Sequence, residues 1–309
     1  MSDIVVVGSM NMDLTVRAGK MPNGGETILG DEFHIIPGGK GANQAVAVSR
    51  LGGKVSMIAK IGADLYGKAL RDQLVSDHVD DRFVITENDI STGVAFIVVE
   101  KTGENRIIVV PGANYTLSDK DLSAARAVFS QAKVVLTQLE IPMPTVERLI
   151  DLTKENGLIM VVNAAPVQPF SDETLRKIDY LVVNEHEAGY LSGIPVVDVD
   201  SASRAAKALV SRGSRCVVLT LGSEGSLYCS EDEEGFIPTF DVEVKDTTAA
   251  GDAFIGGFAV ALLNPSLTLA DRVAYGNAAG ALATTKLGAQ SSLPSLADVE
   301  KLIEINKRV

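Results

Sequence analysis

The residues best suited to chemistry lie in Asp246-Thr-Thr-Ala-Ala-Gly-Asp252, which runs straight into the apolar stretch from Ala253 to Leu263. Small residues giving way to a helix let the N–H groups of Ala249, Ala250 and Gly251 converge on an anion, with Asp252 at the mouth of that nest. A carboxylate repels the anion such a nest binds, so binding alone does not account for it. It fits if Asp252 removes a proton from a hydroxyl about to attack the anion, which is the chemistry of a kinase. Asp is also a good N-cap, and on this stretch alone the two readings stand level.

Other polar residues gather where strands should end. Ile4-Val-Val-Val-Gly8 reads as a buried strand, and Asn11 and Asp13 follow it, placed to hydrogen-bond a polyol or to form an Asx-rich turn. Gly8-Ser-Met-Asn-Met-Asp13 lacks the G-x-G-x-x-G of a dinucleotide fold, which argues against a dehydrogenase. In Pro37-Gly-Gly-Lys-Gly-Ala-Asn43 the glycines let backbone approach a ligand closely, and Lys40 and Asn43 can donate to it. Walker A is excluded, because His34 and Gly41 stand where it needs Gly and Ser/Thr. Glu140 ends another strand on the ligand side, facing a sugar or metal or serving as a rim charge. Asn184-Glu-His-Glu187 combines hard oxygen ligands suited to Mg²⁺ with a good helix cap. Gly222-Ser-Glu-Gly225 lets backbone approach a nucleotide, or makes a plain hairpin turn. Zinc is not expected: His186 lacks a second histidine, Tyr190 standing there, and His34 and His78 are isolated.

The elements that must position these residues alternate. Strands are expected at 55–62, 134–140, 158–162, 180–183 and 216–221, with helices at 44–51, 64–75, 118–131, 144–156, 201–212, 276–285 and 295–306. Such spacing means right-handed βαβ units and a parallel sheet covered on both faces. Two pieces interrupt it, about 14–37 and 93–110, with short strands and hairpin turns. They read as one small β-sheet outside the main body, a lid whose apolar face a second subunit could bury.

Composition narrows the class. The chain has 309 residues, 46% hydrophobic, and fits a single large α/β domain over 1–309. Counting 28 Lys+Arg against 40 Asp+Glu gives −12, with no basic cluster, so a nucleic-acid surface is not expected. The start Ser2-Asp3-Ile4 has no basic region or cleavage site, and no apolar run suffices to cross a bilayer, so a cytoplasmic protein is expected. Cys216 and Cys229 lack metal-ligand spacing and read as reduced.

Taken together and in order, the motifs at 8–13, 37–43, 184–187 and 246–252 resemble the ribokinase-like sugar kinase family, from residue 4 to about 295. The resemblance implies a three-layer α/β/α sandwich with a mostly parallel central sheet and a small β-sheet lid that often forms a dimer contact. It implies ATP-dependent phosphorylation of ribose at its 5-hydroxyl, with Asp252 as base and Ala249, Ala250 and Gly251 as anion hole. Asn11, Asp13, Gly39, Lys40, Asn43 and Glu140 resemble the ribose-binding positions, and Ala95, Ile97 and Val109 its apolar wall. Thr220, Gly222, Ser223, Gly225 and Asn277, with Asn184, would line the ATP site, and Glu187 would organise Mg²⁺ largely through water. A monovalent cation, usually K⁺, would lie on Asp246, Thr248, Ala283, Lys286, Gly288 and Ser292. Met12 stands between Asn11 and Asp13, at a site that varies among related pentose kinases, so deoxyribose stays open. The rival readings are a kinase of this fold for a nucleoside or hexose, and a silent sugar or nucleotide sensor.

Overall fold

A computed structural model describes residues 2–306. The strands are β1 (Ile4–Val7), β2 (Asn11–Ala18), β3 (Gly30–Gly38), β4 (Val55–Gly62), β5 (Asp80–Glu87), β6 (Gly93–Glu100), β7 (Asn105–Val110), β8 (Val134–Gln138), β9 (Ile159–Asn163), β10 (Tyr180–Asn184), β11 (Cys216–Thr220), β12 (Gly225–Ser230) and β13 (Glu234–Pro238). The helices are α1 (Lys40–Arg50), α2 (Leu65–Ser76), α3 (Asp119–Ala124), α4 (Arg126–Phe129), α5 (Met143–Glu155), α6 (Asp172–Leu175), α7 (Glu185–Ser192), α8 (Val199–Ser211), α9 (Ala250–Leu262), α10 (Leu269–Ala283) and α11 (Leu296–Asn306). Among the described residues, no helix is long and apolar enough to cross a membrane.

Nine strands form one sheet in the order β13-β12-β11-β10-β9-β8-β1-β4-β5, parallel from β11 to β5 and antiparallel at β12 and β13. The apolar run of β1 explains its central place. Ile4 and Val6 face a core shared with α1, α9 and α10, and Val5 and Val7 face one shared with α5 and α8. Strand order reverses between β1 and β8, which opens a crevice beyond their carboxyl ends. Close packing of α9 seals one side: a Cβ on Gly256 would lie 2.5 Å from the Ala47 Cβ, and one on Gly257 2.9 Å from the Ala279 Cβ. The small residues are what bring this helix over the crevice.

The second sheet has the order β3-β2-β6-β7, and the two interrupting pieces meet through parallel pairing of β2 with β6. Asn11 and Asp13 do not form a turn; they open β2. The segment at 27–29 is not a strand, and the sheet takes up the chain again at Gly30.

Several boundaries differ from expectation. Helix α1 starts at Lys40, not Gln44, and the stretch 118–131 divides at Ala125 into two short helices. β5 and β13 were not foreseen, the latter beginning inside the acidic run at 231–234.

The root of the second sheet is fixed by one carboxylate. Asp64 caps α2 by accepting from the Gly67 N–H at 2.8 Å, and it also accepts from the N–H and hydroxyl of buried Thr92 at 2.8 and 2.7 Å. Burial works against that charge, yet these donors hold the Asp64 carboxyl below its ordinary range. Asp64→Ala removes the cap and strands the Thr92 N–H, so urea unfolding at pH 7 should show a loss of about 2–4 kcal/mol.

Candidate active site

The crevice between β1 and β8 is floored by chain crossings that only glycine permits. Gly39 has φ 88°, and a Cβ there would sit 2.6 Å from the Asn11 nitrogen; one on Gly41 would sit 2.6 Å from the Ser9 nitrogen. The start of α1 can thus lie directly on the chain leaving β1. Buried Ser9 donates its hydroxyl to Glu140 Oε2, which also accepts the Lys40 N–H at 3.2 Å. Glu140 is thereby fixed just beyond β8, facing the crevice.

Asp252 lies in the first turn of α9 and is buried. Its Oδ2 accepts from Asn43 Nδ2 at 2.9 Å and its Oδ1 from Gln44 Nε2 at 3.0 Å. The N-cap reading fails in detail: Ala249 is the N-cap residue, in a left-handed conformation at φ 59°, and Asp252 caps nothing with its side chain. A left-handed non-glycine residue costs about 1 kcal/mol and bends the backbone into the turn that groups N–H donors. Gly251 is exposed on that turn, whereas the Ala250 N–H is donated to the Thr247 carbonyl at 3.2 Å. The nest is therefore most open at Gly251. Burial pushes the Asp252 carboxyl above its ordinary range, against the pull of Lys40 and the two amides.

Asn11 is oriented by a residue the motifs did not reveal. Asn114, just beyond β7, accepts the Met10 N–H at 2.9 Å and donates to the Met10 carbonyl and to Asn11 Oδ1 at 3.1 and 2.8 Å. With its oxygen so engaged, Asn11 turns its N–H₂ outward. A cavity of about 170 Å³ opens there, lined by Asn11, Val109, Asn114, Tyr115, Glu140 and Pro166. Across the second sheet Asp13, Ala95 and Val109 stand in one row and Ile97 in the next, on the same face. Burial, then Glu140 and Asp252, push the Asp13 carboxyl up to about 7. Burial pulls the Lys40 ammonium down, but Asp252, Glu140, Glu187 and Asp13 outweigh it and hold it above its ordinary range. One cation faces carboxylates from four different elements.

The second half of the site lies at the ends of β10 and β11. Asn184 and Glu187 form a reciprocal capping box: Asn184 Oδ1 accepts the Glu187 N–H at 2.8 Å, and Glu187 Oε2 accepts the Asn184 N–H at 2.9 Å. Burial holds the Glu187 carboxyl above its ordinary range, and the buried, hard oxygens suit a cation approached through water. Thr220 pairs with Asn184 in register, and the turn at 222–225 follows. Gly222 has φ 52° and an open side toward Glu185, while a Cβ on Gly225 would collide with the Ile237 carbonyl; Ser223 is exposed between them. Asn277 is engaged within the protein, accepting from Ser226 at 2.6 Å and donating to the Ile237 carbonyl at 2.9 Å. Its amide can wall a ligand site but has little left to offer a ligand.

Beside the α9 turn, Asp246 Oδ1 accepts from Thr248 N–H and hydroxyl at 2.9 and 2.7 Å, and Oδ2 from the Gly288 N–H at 2.9 Å. This draws the segment from Ala283 to Ser292, including Lys286, against the turn. Burial works against the Asp246 charge, but these donors hold its carboxyl below the ordinary range. Among the described residues no group of three or more His, Cys, Asp or Glu could hold a metal ion, so a cation here would rest on carbonyls and hydroxyls.

Sequence reasoning also missed Gln44, Gln138 and Asn163, all buried around Asp252. Their signal was available: Gln44 opens an otherwise apolar helical stripe, and Gln138 interrupts Val-Val-Leu-Thr-Gln-Leu139.

Comparison with known proteins shows the family. Residues 1–296 match the model of the pfkB family carbohydrate kinases. A ribokinase of Haemophilus influenzae is 40% identical over 301 residues, covering 97% of this chain and 98% of that one. A deoxyribokinase of Salmonella typhimurium is 35% identical over 309 residues, covering 99% and 100%. The structure of Arabidopsis thaliana ribokinase complexed with ribose and ATP superposes with a TM-score of 0.91 at 31% identity, covering 98% and 99%. The chain belongs to the pfkB family of carbohydrate kinases.

Proposed function

We propose that this chain transfers the γ-phosphoryl group of ATP to the 5-hydroxyl of D-ribose. The observation that carries the reading is Asp252, a buried carboxylate held by Asn43 and Gln44 beside the open N-terminal turn of α9. The ribokinase relatives and the neighbour solved with ribose and ATP support the same substrates. The deoxyribokinase relative keeps deoxyribose as the second reading.

In this mechanism Asn11, Asp13, Gly39, Lys40, Asn43 and Glu140 hold the sugar, with Ala95, Ile97 and Val109 as its apolar cover. Asp252 accepts the 5-hydroxyl proton as that oxygen bonds to the γ-phosphorus and the bond to the leaving ADP oxygen breaks. The Gly251, Ala250 and Ala249 amides and the α9 dipole meet the charge on the transferring group, Ala250 once its N–H leaves Thr247. Asn184, Thr220, Gly222, Ser223, Gly225 and Asn277 form the nucleotide side. Mg²⁺, held through waters on Asn184 and Glu187, would neutralise phosphate charge. K⁺ on Asp246, Thr248, Ala283, Lys286, Gly288 and Ser292 would brace the turn.

The whole chain acts as one kinase domain, with the segments 14–37 and 93–110 as a lid excluding water. We place the reaction in the cytoplasm, in keeping with two buried free thiols, Cys216 pushed up to about 12 by burial. The lid also supports a homodimer. Ile35, Phe96 and Ile108 stand in one row across it, 51%, 47% and 64% accessible with buried Leu14 between Ile35 and Phe96, and Phe33 is in the next. Each is already about half covered, so burying the rest is worth about 1 kcal/mol apiece.

Asp252→Asn should keep ribose binding and lose kcat about 10²–10⁴-fold; turnover near wild type removes the base assignment. A panel of ribose, deoxyribose, a nucleoside and a hexose, read by ADP release with and without KCl, decides substrate and cation together. Sugar bound without ADP release would instead favour the sensor.

Sugar hydroxyls donate to ionised Asp13, so binding favours that form and expels a proton held near pH 7. Affinity should be full above about pH 7 and fall as pH drops through it. Calorimetry in buffers of different ionisation enthalpy checks the proton release.

Phe96→Glu together with Ile108→Glu should shift sedimentation from dimer to monomer; an unchanged sedimentation coefficient argues for another interface.

A further inference from the structure

Behind the base lies a line of buried amides. Gln44, whose Nε2 donates to Asp252 Oδ1 at 3.0 Å, accepts on Oε1 from Gln138 Nε2 at 2.7 Å. The same Nε2 reaches Asn163 Oδ1 at 3.2 Å. Gln138 is completely buried at the end of β8, and its own Oε1 has no hydrogen-bond partner. That oxygen lies where a Cβ on Gly8 would be, so glycine at position 8 makes the room.

The direction of each amide follows from charge. Ionised Asp252 only accepts, so Gln44 must present its nitrogen; the Gln44 oxygen then points at Gln138, which must present its nitrogen in turn. The line ends in a buried oxygen left unpaired, which costs stability. Had Gln44 turned the other way, its oxygen would oppose the carboxylate.

We propose that Gln138, acting through Gln44, is a positioning residue for Asp252, bracing the Gln44 amide whose nitrogen meets the base and so the plane in which the carboxylate receives its proton. This deepens the kinase reading and rests on Asp252 as base. Asn163 grips the nitrogen of the same amide, and Asn43 holds the other carboxylate oxygen. The charged groups facing Asp252 are Lys40 from α1, Glu140 after β8 and Asp13 from β2, and none is bonded to Gln138.

The test is the pH dependence of kcat for two variants. Gln138→Met frees the Gln44 oxygen while Asn163 still holds its nitrogen. Its kcat should fall about fivefold to twentyfold, with the sugar KM within about threefold because Asn11 and Asp13 are untouched. Losing a fixed donor to the ionised base should raise the acid midpoint by about half to one pH unit. Gln138→Glu separates positioning from packing. When protonated, a buried glutamic acid can still donate to Gln44 Oε1; when ionised, it demands the Gln44 nitrogen and turns the oxygen on Asp252. Its kcat should therefore decline as pH rises where wild type stays flat.

A wild-type kcat and midpoint in Gln138→Met overturns the proposal, as does an equal loss in both variants with unmoved pH profiles and sugar binding intact. Should Gln138→Glu not fold, Gln44→Met replaces it and must move the midpoint in the same direction. Asp252→Asn keeps the two readings apart. If it turns over near wild type, the base assignment fails; if it is inactive while Gln138→Met behaves as wild type, only the positioning role fails.

Discussion

The site depends on holding one buried carboxylate among others. Asp252 stands near Asp13 and Glu140, and a single ammonium, Lys40, answers them together with Glu187. Close like charges with one counter-charge would take up protons unless amides and bound ligands relieve them. The protein's answer differs by residue. Glu140 receives the Ser9 hydroxyl and a main-chain N–H, and Asp252 receives two side-chain amides, whereas Asp13 is left with little and rises to about 7. The carboxylate left poorest in donors is the one facing the place where a polyol would supply them.

These distances exist because backbone replaces side chain at the crossings. Helix α1 reaches the crevice only since Gly39 and Gly41 lie on the chain leaving β1, and α9 reaches α1 only since Gly256 meets Ala47. The same helix carries Lys40, Asn43 and Gln44 at one end. At its other end Arg50 donates to the Gln290 carbonyl at 2.5 Å and the Leu293 carbonyl at 3.3 Å, while bonded to Asp77 at 2.7 Å. One helix thus joins the crevice to the segment that closes on Asp246.

The central strands were legible because parallel strands buried on both faces are continuous apolar runs, as in Ile4–Val7 and Cys216–Thr220. β5 was not, because Asp-Asp-Arg-Phe-Val-Ile-Thr-Glu87 lies at the sheet edge, where its carboxylates are accommodated half-buried in ion pairs with Arg82, Arg71 and Lys60 and break up the apolar run. The start of α1 was hidden for another reason: Gly41 and Asn43 are weak helix formers, and the crossing over β1 imposes the conformation. The motif residues could be picked out individually, but their partners could not. Asn43 and Asp252 are separated by 209 residues, and Gln44 and Gln138 by 94, and no local pattern joins them.

The helix ends show why sequence alone left function and capping level. At Asn184 capping leaves room for the proposed role, since Asn184 donates one hydrogen bond to each Glu187 oxygen and each of these oxygens keeps a lone pair to spare. At Asp252 they separate. The backbone turns at Ala249 without a side-chain cap, so the α9 amides are not consumed by Asp252, and its oxygens go to Asn43 and Gln44 instead. An Asp spent on its own helix N–H groups would quench both itself and the nest. Moving the cap position to Ala249 keeps the carboxylate and the amides apart, and in the proposed reaction that separation would let Asp252 accept a proton while the neighbouring amides meet negative charge.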